Sequence, residues 1–119
     1  MVVRFDFKEH SSLFTGDLYV KGEADLMAVT EAEKLDVDLL KIPHHGYNTS
    51  TSLAFVQAVS PELAVGMGSP ATRKEIQERL ENNGAIYCHD TTEQYVHAET
   101  DGKTMEHDTA WTRLKDQKK

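Results

Sequence analysis

The sequence predicts an α/β fold built around a mixed sheet. Two short apolar runs, residues 13–16 and 36–43, have the length and the Leu and Ile content of buried strands. The roughly twenty residues between them are enough for the helical crossover that a parallel pair of strands requires. Two strands come first, three helix–strand units follow and a small antiparallel end comes last, which is a layered α/β order.

Each predicted element has a local signal. Leu26, Val29 and Ala32 recur at helical spacing in the first helix. Residues 50–52 offer N-caps for the second helix, and Thr72 begins a capping box for the third. The predicted strands are residues 2–8, 13–16, 36–43, 63–67, 85–88, 94–98 and 103–107. The predicted helices are residues 22–35, residues 53–59 and a third that begins at Ser69 or Thr72 and stops at 82–84.

The composition excludes several classes of protein. A net charge of -7 argues against broad, sequence-independent binding to nucleic acid, which depends on Lys and Arg. The single cysteine, Cys88, excludes an internal disulfide framework, fits a reducing compartment and is expected to be a structural thiol on a strand. The first apolar stretch contains charged residues, which a secretory signal would not. No apolar run approaches the roughly 18 residues that a membrane span requires. We therefore expect a cytoplasmic protein with no membrane partner.

Asp17 follows directly on the second predicted strand, in the segment Thr15-Gly16-Asp17. Gly16 permits a close approach of the backbone, and a carboxylate at this point can give one oxygen to each of two metal ions. An Asx-turn or a helix cap would explain the same residue equally well. Because the carboxyl ends of parallel strands meet at one edge of a sheet, Asp17 is predicted to lie near the end of the third strand.

The third predicted strand ends in Pro43-His44-His45-Gly46. Adjacent histidines at a strand end point to opposite sides, so one can bind a metal while the other contacts a substrate or a second carboxylate. Imidazole is a common ligand of zinc and iron. Gly46 leaves room for a substrate. The alternative is a solvated pair in a loop, which Pro43 disfavours by stiffening the approach.

Residues 47–52 carry a hydroxyl or an amide at every position and lead into the second helix. Free N–H groups and the helix dipole at such a start favour an anion, such as a phosphoryl oxygen. Tyr47, Asn48, Thr49 and Ser50 are therefore candidate substrate-binding residues, and capping is the simpler role for the same segment. The other histidines are weaker candidates, with His10 in a turn, His97 and His107 solvated on polar strands, and His89 near the site edge.

These motifs resemble the second half of a metallo-β-lactamase-fold hydrolase. The similar subgroup is the hydrolase domain of the competence proteins that act in DNA uptake, of the ComEC/Rec2 type. The resemblance rests on residues 13–18, 22–23, 36–46 and 49–52, continues at residues 55–61 and 84–87, and spans roughly residues 2–106.

The resemblance implies half of an αββα metallo-β-lactamase-like sandwich in residues 1–110, a mixed sheet with helices on one face, followed by a charged tail at 111–119. It implies two metal ions, zinc or else manganese or iron. Asp17 would be the bridging ligand, His45 the last ligand, and His44 would be directed toward the substrate. Asp17 and His44 would then be catalytic in the hydrolysis of a phosphodiester or related ester by a metal-bound hydroxide.

In such hydrolases a His-x-His-x-Asp-His motif and a further His precede the aspartate, and this sequence has neither. We therefore expect the missing N-terminal half to be a partner, and this chain alone to be inactive on a small-molecule or nucleotide-like phosphoester. An uncovered sheet face predicts a homodimer. Two alternatives stay open: a non-catalytic binding module that keeps the fold without metals, and an unrelated α/β domain that binds an anion at residues 49–52.

Overall fold

The computed structural model describes residues 1–68 and 72–109, which form a five-stranded mixed sheet and a two-stranded hairpin. β1 is antiparallel to β2, and β2, β3, β4 and β5 are parallel to one another. In spatial order, the sheet strands are β1 (Val3–Phe7), β2 (His10–Phe14), β3 (Leu39–Lys41), β4 (Leu63–Gly66) and β5 (Ile86–His89).

The helices form the crossovers between the parallel strands. This confirms the predicted α/β class with a mixed sheet. α1 (Val20–Val29) and α2 (Ala32–Leu35) join β2 to β3, α3 (Leu53–Val59) joins β3 to β4, and α4 (Lys74–Asn82) joins β4 to β5. A 3-10 turn (Pro43–Gly46) follows β3, α5 (Asp90–Glu93) follows β5, and the hairpin consists of β6 (Val96–Thr100) and β7 (Met105–Thr109).

One face of the sheet packs against the helices. Leu13, Leu40 and Ala64 lie opposite one another in neighbouring strands and are all buried. Removing their apolar surface from water, together with that of the helices, is the main force that holds the two layers together. The helices contribute Phe55, Val56 and Val59 from α3 and Ile76 and Leu80 from α4.

The opposite face of the sheet exposes large apolar side chains. Phe5, Phe14 and Ile86 are 61%, 42% and 50% exposed, and the rings of Phe5 and Phe14 meet edge to face at 5.7 Å. The alternation of side chains along a strand puts them on the face away from Leu13 and Leu40. Phe5 and Phe14 thus form an exposed apolar contact on β1 and β2, and Ile86 is exposed separately on β5.

The composition predicted a structural cysteine on a strand and no apolar run long enough to span a membrane. Cys88 lies in β5 and is buried, and burial raises the pKa of its thiol, as expected of a structural cysteine on a strand. Within residues 1–68 and 72–109, no helix has both the length and the apolar character that crossing a bilayer demands.

Several boundaries differ from the prediction. His10 begins β2 rather than lying in a turn, because Lys8 takes a positive φ of 55° and the turn needs only two residues. The first helix breaks in two because Thr30 and Glu31 are extended, with ψ of 133° and 141°. Thr72 does not cap α4, whose N-cap position is Arg73. Ser69, Pro70 and the predicted charged tail at 111–119 lie outside the described residues.

We predict that Leu40→Ala lowers the free energy of unfolding by about 2–5 kcal/mol, because the truncated side chain leaves a cavity in the core. The matched control is Leu53→Ala, at a position that is 49% exposed, which should change the free energy by less than about 0.5 kcal/mol. Urea denaturation followed by circular dichroism measures both variants. Similar destabilisation by the two substitutions would contradict this description of the core.

Candidate functional site

The carboxyl ends of the four parallel strands meet at one edge of the sheet. Asp17 follows β2, His44 and His45 follow β3, Met67 follows β4, and His89 ends β5. Oδ1 of Asp17 and Nε2 of His45 are 3.5 Å apart. The structure therefore brings together the two residues that were expected to bind metal.

The imidazole of His45 is oriented by the backbone. Its Nδ1 lies 2.9 Å from the carbonyl oxygen of Met67, and only a protonated Nδ1 can donate to a carbonyl. Nε2 then faces Asp17, and an Nδ1 held by the backbone leaves Nε2 as the nitrogen that a metal ion would take. The side chains of Asp17 and His45 are 65% and 39% exposed, so the pair is open to solvent.

The segment that orients His45 is itself held by the chain that follows β5. The N–H of Gly68 donates to Oδ1 of Asp90 at 3.0 Å. A side chain at Gly68 would begin 2.8 Å from Nδ1 of His45, and the φ of +92° at this position also favours glycine. Asp90 therefore positions the loop whose Met67 carbonyl fixes the imidazole.

The turn that carries the two histidines is left-handed. His44, His45 and Gly46 have φ angles of 47°, 57° and 78°. Non-glycine residues pay about 1–2 kcal/mol each for this conformation. Backbone bonds enforce it, since the N–H of His44 donates to the carbonyl of Gly16 and the carbonyl of Gly46 accepts from Arg73, both at 3.0 Å. Such enforced strain is characteristic of binding and catalytic sites.

His44 takes partners different from those of His45. Its Nδ1 lies 3.1 Å from Oγ1 of Thr49, and its ring packs on Tyr19 and Tyr47 with centroid distances of 4.6 and 4.8 Å. Because β3 already ends at residue 41, the pair lies in a turn rather than at the end of a strand. The His44 ring is thus clamped beside the Asp17–His45 pair.

Two of the predicted substrate-binding residues have packing roles. Gly46 lies against Thr72, whose side chain a Cβ atom at position 46 would meet at 2.5 Å. Ser50 is buried, and its hydroxyl donates to the carbonyl of Leu18 at 2.6 Å. These contacts account for both residue types without a substrate.

The other three predicted substrate-binding residues lie at the surface. Asn48 and Thr49 are exposed, and the Tyr47 ring contacts both histidine rings. An open cleft of about 560 Å³ lies beside Asp17 and is lined in part by Lys21. The charged side chains of this cleft are the carboxylates of Asp17 and Asp25 and the ammonium group of Lys21.

The N–H groups just ahead of α3 are occupied by a buried carboxylate. Glu23 is fully buried and accepts from the N–H of Thr51 and from the N–H of Ser52, the latter at 2.9 Å. Arg79 donates to the carbonyl of Thr51 at 2.6 Å. The anion expected at this helix start is therefore one that the chain supplies itself. In the sequence, Glu23 stands out only as part of the segment 22–23 that carries the family resemblance, and nothing there indicates that it is buried.

The segments that follow β2 and β3 are also joined directly. Oγ1 of Thr15 donates to the carbonyl of Lys41 at 2.7 Å, and Nζ of Lys41 donates to the carbonyl of Gly16 at 3.1 Å. Burial lowers the pKa of Lys41, and the charge of Asp17 opposes that shift. These bonds fix the distance between Asp17 and the histidine turn independently of the side chains at the site.

The remaining histidines fall into two groups. His89, predicted at the site edge, is fully buried at the end of β5. Burial lowers its pKa, Asp90 opposes the shift and His45 adds to it. His10 is also buried, 3.6 Å from Asp38, and does not lie in a turn as predicted. His97 and His107 are exposed on the hairpin, as predicted.

Asp17 and His45 fit a divalent cation as two of its ligands. Bonds of about 2.0–2.2 Å around tetrahedral zinc place neighbouring donor atoms roughly 3.3–3.5 Å apart, which matches the 3.5 Å observed here. Within residues 1–68 and 72–109, no group of three or more His, Cys, Asp or Glu side chains is arranged to hold a metal ion. The described residues thus contribute a pair of donors, whereas zinc takes about three or four from protein.

Comparison with known proteins finds relatives that carry competence names. The chain is 39% identical to competence protein ComA of Neisseria gonorrhoeae over 77 residues, which covers 60% of this chain and 11% of that protein. It is 42% identical to ComE operon protein 3 of Bacillus subtilis over 55 residues, or 46% of this chain and 7% of that protein. It is 35% identical to the uncharacterized protein YcaI of Escherichia coli over 68 residues, which covers 57% of this chain and 9% of that protein.

The matched segments are a small part of these relatives. The chain spans no more than 11% of the length of the three curated relatives named above. No protein-family model matches it. The chain is therefore similar to a short section of each of these much longer proteins.

We predict that Glu23→Gln lowers the free energy of unfolding by about 1–3 kcal/mol, because the amide cannot accept from both N–H groups and one buried donor is left unsatisfied. Glu33→Gln, which makes the same change at an exposed position of α2, is the control and should stay within about 0.5 kcal/mol of wild type. Chemical denaturation measures both. An unaffected Glu23→Gln protein would show that the carboxylate does not hold the loop.

Proposed function

We propose that this chain is the C-terminal part of a metal-dependent hydrolase of metallo-β-lactamase fold. In our proposal it acts on phosphodiester or related ester bonds in a competence-related process. The observation that carries the proposal is the 3.5 Å approach of Asp17 Oδ1 to His45 Nε2, with the opposite nitrogen of the ring held by the backbone. The similarity to two competence proteins supports the process, and the resemblance in the sequence supports the fold.

Asp17 and His45 are the residues that would hold the metal. A divalent cation such as zinc, manganese or iron supplies a water of lowered pKa at neutral pH. The exposed carboxylate of Asp17 can accept a hydrogen bond from that water and keep it in line with the cleft. The backbone-held ring of His45 keeps its Nε2 aimed at the same point, so little reorganisation is needed when the ion binds.

His44 and its neighbours form the substrate side of the proposed site. Because Nδ1 of His44 is engaged with Thr49, the second ring nitrogen is left to contact a phosphoryl oxygen. The rings of Tyr19 and Tyr47 hold this imidazole from two sides. Lys21, at the wall of the cleft, offsets part of the negative charge of Asp17 and Asp25, and its ammonium group can contact a small-molecule or nucleotide-like phosphoester.

The remaining metal ligands would come from the N-terminal half of the hydrolase domain. Two donors from this chain leave at least one or two positions of a zinc shell to be filled by other protein groups. The exposed face that carries Phe5, Phe14 and Ile86 offers an apolar surface for that half to cover. In this proposal the second half completes both the core and the site.

The metal part of the proposal is tested by Mn²⁺ titration of the ¹⁵N-labelled chain. We predict paramagnetic broadening centred on the amides of Asp17, His45 and Gly68, and its loss in Asp17→Asn and in His45→Gln. The exposed His97, which lies 3.0 Å from Asp108 and 3.3 Å from Glu99, is an internal control for unspecific binding to histidine and carboxylate groups. Broadening that is equal at both places, or that survives both substitutions, would argue for a non-catalytic module instead.

The catalytic part is tested with bis-p-nitrophenyl phosphate and added Zn²⁺ or Mn²⁺. We predict no turnover by this chain above that of the Asp17→Asn variant, because two donors leave the ion incompletely held. Turnover that a chelator removes, and that Asp17→Asn abolishes, would refute the claim that a second half is needed. It would at the same time support the hydrolase activity.

A further inference from the structure

β1 is an edge strand of the sheet, and its outer side faces no other strand of the described chain. Its five residues are half-exposed or exposed, and Phe5 and Phe7 are 61% and 50% exposed. An exposed edge presents a row of backbone donors and acceptors that can pair with another strand. A strand with complementary side chains can therefore add to the sheet at β1.

The hairpin geometry shows which backbone groups face outward. The loop between β1 and β2 has two residues, and Phe7 and His10 form the pair that closes it. A two-residue loop is closed by a hydrogen-bonded pair, and such pairs alternate with non-bonded ones along an antiparallel ladder. The backbone N–H and C=O groups of Phe5 and Phe7 therefore form hydrogen bonds with β2. The N–H and C=O groups of Arg4 and Asp6 point to the free edge.

We propose that β1 pairs antiparallel with β1 of a second copy of this chain, with Phe5 of one copy opposite Phe5 of the other. Arg4 then lies opposite Asp6 of the second copy, and Val3 lies opposite Phe7. The backbone N–H and C=O groups of Arg4 in each copy form hydrogen bonds with those of Asp6 in the other copy. The two copies are related by a two-fold axis, and the contact is the self-complementary one of an isologous dimer. Opposite charges meet at both ends of the contact.

The charge pattern selects this register over its neighbours. An alternative register keeps the backbone groups of Arg4 and Asp6 hydrogen-bonded across the edge only if it is shifted from this one by an even number of residues. A shift by two residues in one direction places Arg4 opposite Arg4, and a shift in the other direction places Asp6 opposite Asp6. Both place like charges side by side, which disfavours them.

The side chains of this edge are already ordered for the contact. Arg4 is held by Asp6 of its own strand at 2.8 Å and by the backbone carbonyl of Lys34. These contacts fix the positions of the guanidinium and the carboxylate beside the edge strand. On the opposite face, the Phe5 rings of the two copies come together at a non-bonded pair, where side chains approach most closely. The apolar contact of Phe5 with Phe14 then runs on from one sheet into the other.

The test is a charge reversal read by sedimentation velocity over a series of concentrations. Wild type should show a weight-average mass that rises toward twice that of the chain. Arg4→Asp presents two carboxylates at the edge and Asp6→Arg presents two guanidiniums, so each alone should stay monomeric. An equimolar mixture of the two variants should regain the dimer, which also shows that both are folded. Arg73→Asp, an exposed reversal at the start of α4, should behave as wild type.

Amide hydrogen exchange gives a second, independent readout. The N–H groups of Arg4 and Asp6 should become protected as the concentration rises, and those of Phe5 and Phe7 should be protected throughout. A wild-type chain that stays monomeric, or a variant mixture that fails to associate, would overturn the proposal. So would single variants that dimerise as wild type does, since the contact would then lie on the exposed sheet face rather than at the edge.

Discussion

The parallel pairing of β2 with β3 is the constraint on which the site depends. Phe14 lies opposite Lys41, so both strands end at the same edge of the sheet, and the chain that leaves each strand carries one member of the pair. A slip by one residue would move every side chain of β2 to the other face and bury Phe14 in place of Leu13. The core therefore fixes the register, and the register places Asp17 beside His45.

Backbone contacts carry this placement from the strands to the side chains. The carbonyl of Gly16 accepts from both His44 and Lys41, and buried Glu23 ties α1 to the start of α3. Each of these groups would be costly to leave unpaired, so the loops have few alternatives. The strained turn at residues 44–46 persists because the contacts around it are numerous.

The sequence predicted the elements with strong periodicity and missed the features that depend on tertiary contacts. The helix at residues 53–59 was predicted with its observed bounds, because the N-cap candidates at residues 50–52 mark its start. The break at Thr30 and the buried state of Glu23 have no local signal. Asp17 and His45 could be paired in advance because parallel strand ends converge. The role of the Met67 carbonyl could not be predicted, since every residue type has a backbone carbonyl.

Long-range ¹H–¹⁵N NMR of the His45 imidazole is the most direct test of a cation site shared by Asp17 and His45. We predict that the His45 ring in the metal-free chain carries a proton on Nδ1, which it donates to the carbonyl of Met67. We also predict that zinc shifts the Nε2 resonance, and that Asp17→Asn abolishes this response. A tautomer protonated at Nε2, or a zinc response that is unchanged without the Asp17 carboxylate, would contradict the shared cation site.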